Sequence, residues 1–257
     1  MSIHSTAIIE DGVVLGSDVE VGPFAYIISG AVIGDGCRIG PHVTIYGSTK
    51  LGSGCEVHAT AVLGDTPQDT GFDGGESFVV IGSDCIIREG VTIHRGSKEG
   101  ATTVVGSGCM LMAFSHVAHN AELGDGVIVA NGALLAGYVS VGANAFISGN
   151  VAVHQFVRIG RLAMLGGGTM VSKDVPPFCT THPLRTNKLL GLNVIGMRRN
   201  GIGREERSAV KAAFKALYHS GMNITQAAAT LAETCDGGPV REMLDFIESS
   251  KRGICGC

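Results

Sequence analysis

The amino-acid sequence predicts an all-β solenoid, a triangular parallel β-helix of hexapeptide repeats, followed by a C-terminal α-helical domain. Three observations lead there. An aliphatic residue recurs at every sixth position, a small residue stands four places after each, and a helical pattern takes over beyond the proline pair Pro176-Pro177.

The hexad begins at Ile3 and runs through Ile9, Leu15, Val21 and so on to Val171. Of the 29 positions in that frame, 26 are Ile, Leu or Val; the exceptions are Asp69, Gly75 and Glu99. The slot four residues on is filled by Ala7, Ala25, Ala31, Cys37, Cys55 and Ala61, and glycine often follows the aliphatic directly, as at Gly16, Gly34 and Gly124. One inward aliphatic, one small inward residue and a tight turn per hexad make short strands that stack coil upon coil. Stability in such a solenoid is built from neighbour-to-neighbour contacts. A fully buried aliphatic contributes about 1.5–3 kcal/mol, which offsets the scarcity of aromatics (5%) and the absence of Trp in a chain of 257 residues with 39 glycines. Cys37, Cys55, Cys85 and Cys109 share the small inward slot and lack CxxC spacing, so they read as compact hydrophobes rather than disulfide or zinc ligands. Cys255-Gly-Cys257 reads as a frayed end.

Residues 1–177 are therefore assigned to the β-helix, with polar, Gly-rich excursions at 64–80 and 94–104, where binding groups tend to sit. Residues 178–203 form a crossing segment and 204–257 a helical domain. There Val210, Ala213, Phe214 and Leu217 give one helix an apolar stripe ended by Gly221. Asn223 and Gln226 have capping-box spacing before a second helix, and Pro239 sits where a third starts.

Net charge is −4 but unevenly spread. Residues 1–157 carry 5 Lys/Arg against 15 Asp/Glu, residues 158–215 carry 11 against 3, and residues 216–257 carry 3 against 5. A basic block on an acidic chain suits an anionic partner such as a phosphate, a nucleotide or an acidic protein. No apolar run approaches the roughly 20 residues of a membrane span, and the N-terminus has neither a basic start nor an apolar core, so a cytoplasmic chain without membrane insertion is expected.

Within the hexad frame Val117 points inward, so His116 and His119 flank it and project outward, as do His94 and His154. Three uses of these histidines are open: part of a metal site of the kind trimeric β-helix carbonic anhydrases build across subunits, solvated residues on a non-catalytic scaffold, or acid–base catalysis.

The segments REGVTIHRGS (88–97), SHVAHN (115–120), LLAGYVSVG (134–142), VAVHQF (151–156), KDVPPF (173–178) and GLNVIGMRRNG (191–201) resemble, in order and spacing, those of the acyl-carrier-protein–UDP-N-acetylglucosamine O-acyltransferases. These hexapeptide-repeat enzymes open lipid A synthesis. The likeness covers essentially the whole chain. It implies a left-handed coil, whereas general chirality rules favour the other hand. It also implies a homotrimer with the active site between subunits, an acyl carrier protein as donor, a UDP-sugar as acceptor, no cofactor, no metal and no nucleic acid. By the resemblance His119 is the general base and the Gly137 N–H the oxyanion donor. A neutral imidazole suits proton removal from a sugar hydroxyl, and no covalent acyl-enzyme is required. Asp69, His116, His154 and Gln155 line the sugar-nucleotide side, and Asn193 and Arg199 meet the uridine and phosphate end.

Several family positions are changed. The aspartate after the base is Asn120, so a carboxylate orienting His119 has to come from elsewhere. The histidine after the oxyanion glycine is Tyr138, the first loop's lysine is replaced near Gly71, and an acidic residue and an arginine give way to Ile195 and Asn200. These changes gather at the acceptor end. They leave either UDP-N-acetylglucosamine or another nucleotide sugar, such as a 3-amino analogue, as the acceptor.

Overall fold

The computed structural model describes residues 1–233, 235 and 237–257. Strands of two to four residues alternate among three sheets, one per face of a prism; among the described residues there are eleven strands on the first face, nine on the second and eight on the third, all parallel except the last strand of the first. Ser2 pairs with Glu20 and Ile3 with Val21, so one coil takes 18 residues. The coil is left-handed.

The corners explain how so short a repeat closes. Most hexads turn the chain at a residue in the left-handed φ region, including Asp18, Phe24, His42, Asn120, Tyr138, Asn150 and Phe156, all at φ 53–65. That conformation costs about 1–2 kcal/mol for a residue with a side chain. The coil-to-coil hydrogen bonds that follow each corner offset it: Ala118 N–H donates to Leu135 O at 2.9 Å, and Gly124 N–H to Val141 O at 2.8 Å.

Both inward slots are filled as the hexad requires. Ile27, Ile45, Leu63, Ile93, Val117 and Leu135 are fully buried, alternating with Ala25, Ala61, Ala121 and Ala133. The four inward cysteines are free, and each Sγ donates to a glycine carbonyl of the coil above, from Cys37 to Gly52 O at 3.1 Å through Cys109 to Gly124 O at 3.3 Å. The N-terminal end is open, with Ile3 45% exposed, whereas Phe178 plugs the other end at 0%.

The two excursions leave the hexad phase intact. Val57 pairs with Ile87 and Ile81 with Val105, thirty and twenty-four residues apart, so each excursion adds whole hexads to the 18-residue coil. Both depart at the same edge, where the second face turns into the third. The first lies between strands Val62–Asp65 and Phe78–Ile81, the second between Thr92–His94 and Thr102–Val105.

Strand Cys179–Thr181 joins the first sheet, and Leu189–Leu192 pairs with it antiparallel. Helix α1 (Val194–Arg199), inside the segment expected only to cross, precedes α2 (Arg204–His219), α3 (Ile224–Ala232) and α4 (Gly238–Glu248). Val210, Ala213, Phe214 and Leu217 are the buried stripe of α2. Asn223 caps α3 by accepting from Thr225 N–H at 2.9 Å. Arg161 of the third face holds Glu242 of α4 at 2.7 Å. The terminus corrects the sequence reading. It is not frayed: Cys255 is buried, Cys255 N–H donates to Asp174 O at 2.9 Å, and Leu189 N–H donates to Gly256 O at 2.6 Å. These partners lie far away in the sequence, so no local pattern announced the pairing.

Candidate active site

The edge from which both excursions leave also carries His119. Strand His116–Val117 lies on the second face, and the chain turns at Asn120 into the third. The excursions therefore deliver Asp69 and Ser97 to the imidazole, while Gly137 and Tyr138 arrive from the next coil.

His119 is 8% exposed yet lies outside the apolar core. Its Nδ1 stands 3.0 Å from Asn120 Oδ1. That oxygen also accepts from Ser97 N–H at 2.9 Å and from Ser97 Oγ at 3.0 Å. A backbone N–H only donates, so the amide atom facing it is the oxygen, and His119 Nδ1 must carry the hydrogen it offers. Nε2 is left with its lone pair, facing Asp69 Oδ2 at 3.9 Å. The orienting group is thus an amide at the adjacent position, in place of the carboxylate expected from elsewhere. Asp69 itself is held ionised below its usual carboxyl range, chiefly by the Gly71 N–H that donates to Oδ1 at 2.9 Å.

Gly137 has no side chain for a concrete reason. A Cβ there would come within 2.5 Å of His119 Cε1 and 2.6 Å of Nε2. Its carbonyl accepts from Phe156 N–H, while its own N–H donates to no protein acceptor among the described residues. Tyr138 sets its ring edge-on to His119 at 5.4 Å and its hydroxyl 3.2 Å from Ser97 Oγ.

His116 lies on the same coil as His119. Its Nδ1 is 2.7 Å from Thr92 Oγ1, its ring is edge-on to His94 at 4.9 Å, and burial pushes its pKa down to about 4. His94 is 5% exposed, lowered chiefly by burial, and its Nδ1 has no partner. His154 and Gln155 stand exposed two coils higher on the same edge. Lys98, on the second excursion, donates to Gly71 O at 3.4 Å, which brings an ammonium to the stretch of the first excursion where the sequence reading finds a lysine missing. Ser97 and Lys98 carry no sequence signal beyond sitting in a polar loop. The metal reading needs further ligands, since among the described residues no three His, Cys, Asp or Glu side chains are grouped to hold an ion.

Asn193 and Arg199 are not brought to this cluster. The Asn193 amide caps α1 through Gly196 N–H and donates to Leu162 O, both at 2.9 Å; Leu162 is a corner between the third and first faces. Arg199 is exposed at the end of the same helix.

A hexapeptide β-helix with a histidine at its edge, its Nε2 bare beside a glycine N–H, has the form of a hexapeptide-repeat acyltransferase, and the comparisons place the chain in that class. The bacterial transferase hexapeptide repeat matches residues 12–47, 30–65 and 102–137, and the family described as UDP N-acetylglucosamine O-acyltransferase, domain 2, matches residues 174–255. The acyl-[acyl-carrier-protein]–UDP-N-acetylglucosamine O-acyltransferase of Sulfurovum sp. is 42% identical over 98% of this chain and 97% of its own; that of Xanthomonas oryzae is 44% identical over the same shares. Among solved structures, the UDP-N-acetylglucosamine acyltransferases of Campylobacter jejuni (TM-score 0.94, 36% identity, all of both chains) and Bacteroides fragilis (TM-score 0.93, 38% identity, 98% and 99% of the chains) are similar throughout. The chain belongs to the acyl-[acyl-carrier-protein]–UDP-N-acetylglucosamine O-acyltransferase family.

Proposed function

We propose that this protein transfers a (3-hydroxy)acyl chain from acyl carrier protein to the 3-hydroxyl of UDP-N-acetylglucosamine, at the start of lipid A synthesis, with His119 as general base. The observation that carries the reading is the locked imidazole. Ser97 fixes the Asn120 amide, the amide takes the Nδ1 hydrogen, and Nε2 is presented bare beside the unpaired Gly137 N–H.

The sugar oxygen attacks the thioester carbon while its proton passes to His119 Nε2. The carbonyl electrons move onto oxygen, where the Gly137 N–H stabilises the charge. As the tetrahedral intermediate collapses, the C–S bond breaks and the imidazolium returns the proton to the departing sulfur as thiol. The base contributes about 10²–10⁴-fold and the oxyanion donor about 10²–10³-fold. Asp69, 3.9 Å from Nε2, favours the imidazolium as it forms.

Asp69, His116, His154 and Gln155 line the acceptor side of the cleft. Asn193 and Arg199 belong to a different edge, which supports a cleft completed by a neighbouring subunit in a homotrimer. The outward side chains of the first face give such an assembly an apolar ladder: Ile86, Met110, Ile128, Phe146 and Met164, one per coil. The basic block from 158 to 215 meets the acidic carrier and the diphosphate. No described helix is long and apolar enough to cross a membrane, and a cytoplasmic enzyme suits a carrier-protein donor.

Mass-spectrometric product analysis tests the reading. Purified protein incubated with acyl-carrier protein and either UDP-N-acetylglucosamine or its 3-amino analogue yields an ester on the first acceptor. Amide formation on the analogue alone reassigns the acceptor, and no acylated product with either acceptor rejects the reading.

A further inference from the structure

Residues 250–257 form a strap whose partners lie far away in the sequence. Asp174 N–H donates to Gly253 O and Cys255 N–H donates to Asp174 O, both at 2.9 Å. Gly256 is then bonded on both sides: its N–H donates to Asn187 O at 3.1 Å, and its carbonyl accepts from Leu189 N–H at 2.6 Å. Further back, Ser250 Oγ donates to Asp174 Oδ2 at 2.7 Å and Arg252 Nε to Ser172 O at 3.3 Å, with Arg252 Nη2 3.3 Å from His154 Nδ1. The strap therefore ties strand Leu189–Leu192 to the edge that carries His154.

Two thiols sit in this strap with one glycine between them. Cys255 is buried and its Sγ donates to Lys173 O at 3.6 Å. Cys257 is exposed, and Lys188 Nζ donates to its carbonyl oxygen at 2.6 Å. Side chains two apart on an extended segment leave on the same side, with about 6.6 Å between their Cα atoms. A disulfide prefers about 5.5–6 Å and a fixed dihedral, so joining these sulfurs makes the chain fold at Gly256, where no Cβ opposes it. That fold breaks both Gly256 hydrogen bonds. The docked strap thus holds the thiols apart, and the bonded pair does not fit the docked strap.

Two further observations make docking conditional. Burial pushes the Cys255 thiol up to about 12, so it stays protonated until the strap lifts and water reaches it. The Tyr218 hydroxyl is buried with no hydrogen-bond partner among the described residues, and after burial itself the thiols of Cys179, Cys257 and Cys255 are what raise its pKa. A lifted strap lets water satisfy that hydroxyl.

We propose that Cys255 and Cys257 are a reversible thiol–disulfide switch that releases the strap from strand Leu189–Leu192 when oxidised. The oxidant is a low-molecular-weight disulfide such as oxidised glutathione. The Cys257 thiolate attacks one of its sulfurs, that S–S bond breaks, and one glutathione leaves as thiol. The Cys255 thiolate, freed as the strap lifts, attacks the Cys257 sulfur and expels the second glutathione. The two protein thiols thereby give up two protons and two electrons, which leave on two glutathione thiols. Release parts Arg252 from Ser172 and His154 and slows turnover at that edge, a consequence that rests on the proposed acyl transfer. Cysteine pairs of this kind in a reducing compartment serve as redox sensors.

Purified protein equilibrated in glutathione buffers, from fully reduced to fully oxidised, tests the switch. In oxidised buffer, peptide mapping without reductant finds Cys255 bonded to Cys257. The Leu189 amide, whose acceptor is Gly256 O, exchanges its hydrogen about tenfold faster or more. Turnover of acyl-carrier protein falls about fivefold or more in the same samples, and dithiothreitol reverses all three changes. Cys257→Ser, at an exposed side chain, keeps the Leu189 amide protected and turnover unchanged in every buffer. The inference is overturned by no bond between these cysteines, by a bond from either to Cys179, or by a bond that leaves the Leu189 amide protected. Faster exchange in oxidised Cys257→Ser, or release without a fall in turnover, overturns it too. No turnover in the reduced protein overturns the acyl-transfer assignment alone, because the bond and the exchange are read without substrate.

Discussion

His119 offers its Nδ1 hydrogen to Asn120 Oδ1 at 3.0 Å, and the same oxygen receives two hydrogen bonds from Ser97. The amide fixes the tautomer without a negative charge behind the ring. Asn120→Asp keeps the acceptor and adds that charge, which favours the imidazolium. The acidic limb of the kcat/KM profile accordingly moves to higher pH, by about one unit. Asn120→Leu removes the acceptor and lowers kcat at every pH. A pH profile that is unchanged in Asn120→Asp contradicts the orienting role.

Gly137 is pressed against the imidazole. In Gly137→Ala the new methyl lands on Cε1 and Nε2, so the ring tilts out of line with the substrate. A displacement of this size is expected to cost about 10²-fold in kcat, with melting temperature little changed because the position is on the outer edge. Activity near wild type in this variant argues that the ring is free to move without loss.

Lys98 reaches the first excursion from the second. If its ammonium replaces the missing loop lysine at the acceptor, Lys98→Ala raises KM for the nucleotide sugar about tenfold and leaves KM for acyl-carrier protein unchanged. Equal effects on both substrates assign Lys98 to loop structure.

His116 is depressed to about 4 by burial first, then by His94 and His119. Its unfolded value lies near 6.5, so between those limits the unfolded chain binds more protons and stability falls as pH drops from about 6.5 to about 4. His116→Gln removes this contribution and flattens thermal stability across that window. An unchanged slope shows that other groups set the acid limb.

Much of the prism was legible because its phase is arithmetic: both excursions add whole hexads, so Val117 stays inward and His119 stays at an edge whatever the loops do. The close pairing of His119 with Gly137 follows from the next coil. Ser97 and Lys98 were not legible, since they act from a loop without periodicity. Nor was the tail: Cys255 and Arg252 find partners at Asp174, Ser172 and His154, some eighty to a hundred residues away. Asn193 shows the converse, a recognisable position whose amide is spent on its own helix cap and on Leu162 O.

The central claim is that the imidazole at 119 takes the proton of the attacking hydroxyl. Single-turnover acyl transfer by His119→Ala, beside wild type and at saturating UDP-N-acetylglucosamine, tests it most directly. A loss of about 10²–10⁴-fold in the chemical step, with the sugar nucleotide still bound, is the predicted result. Transfer at the wild-type rate contradicts it.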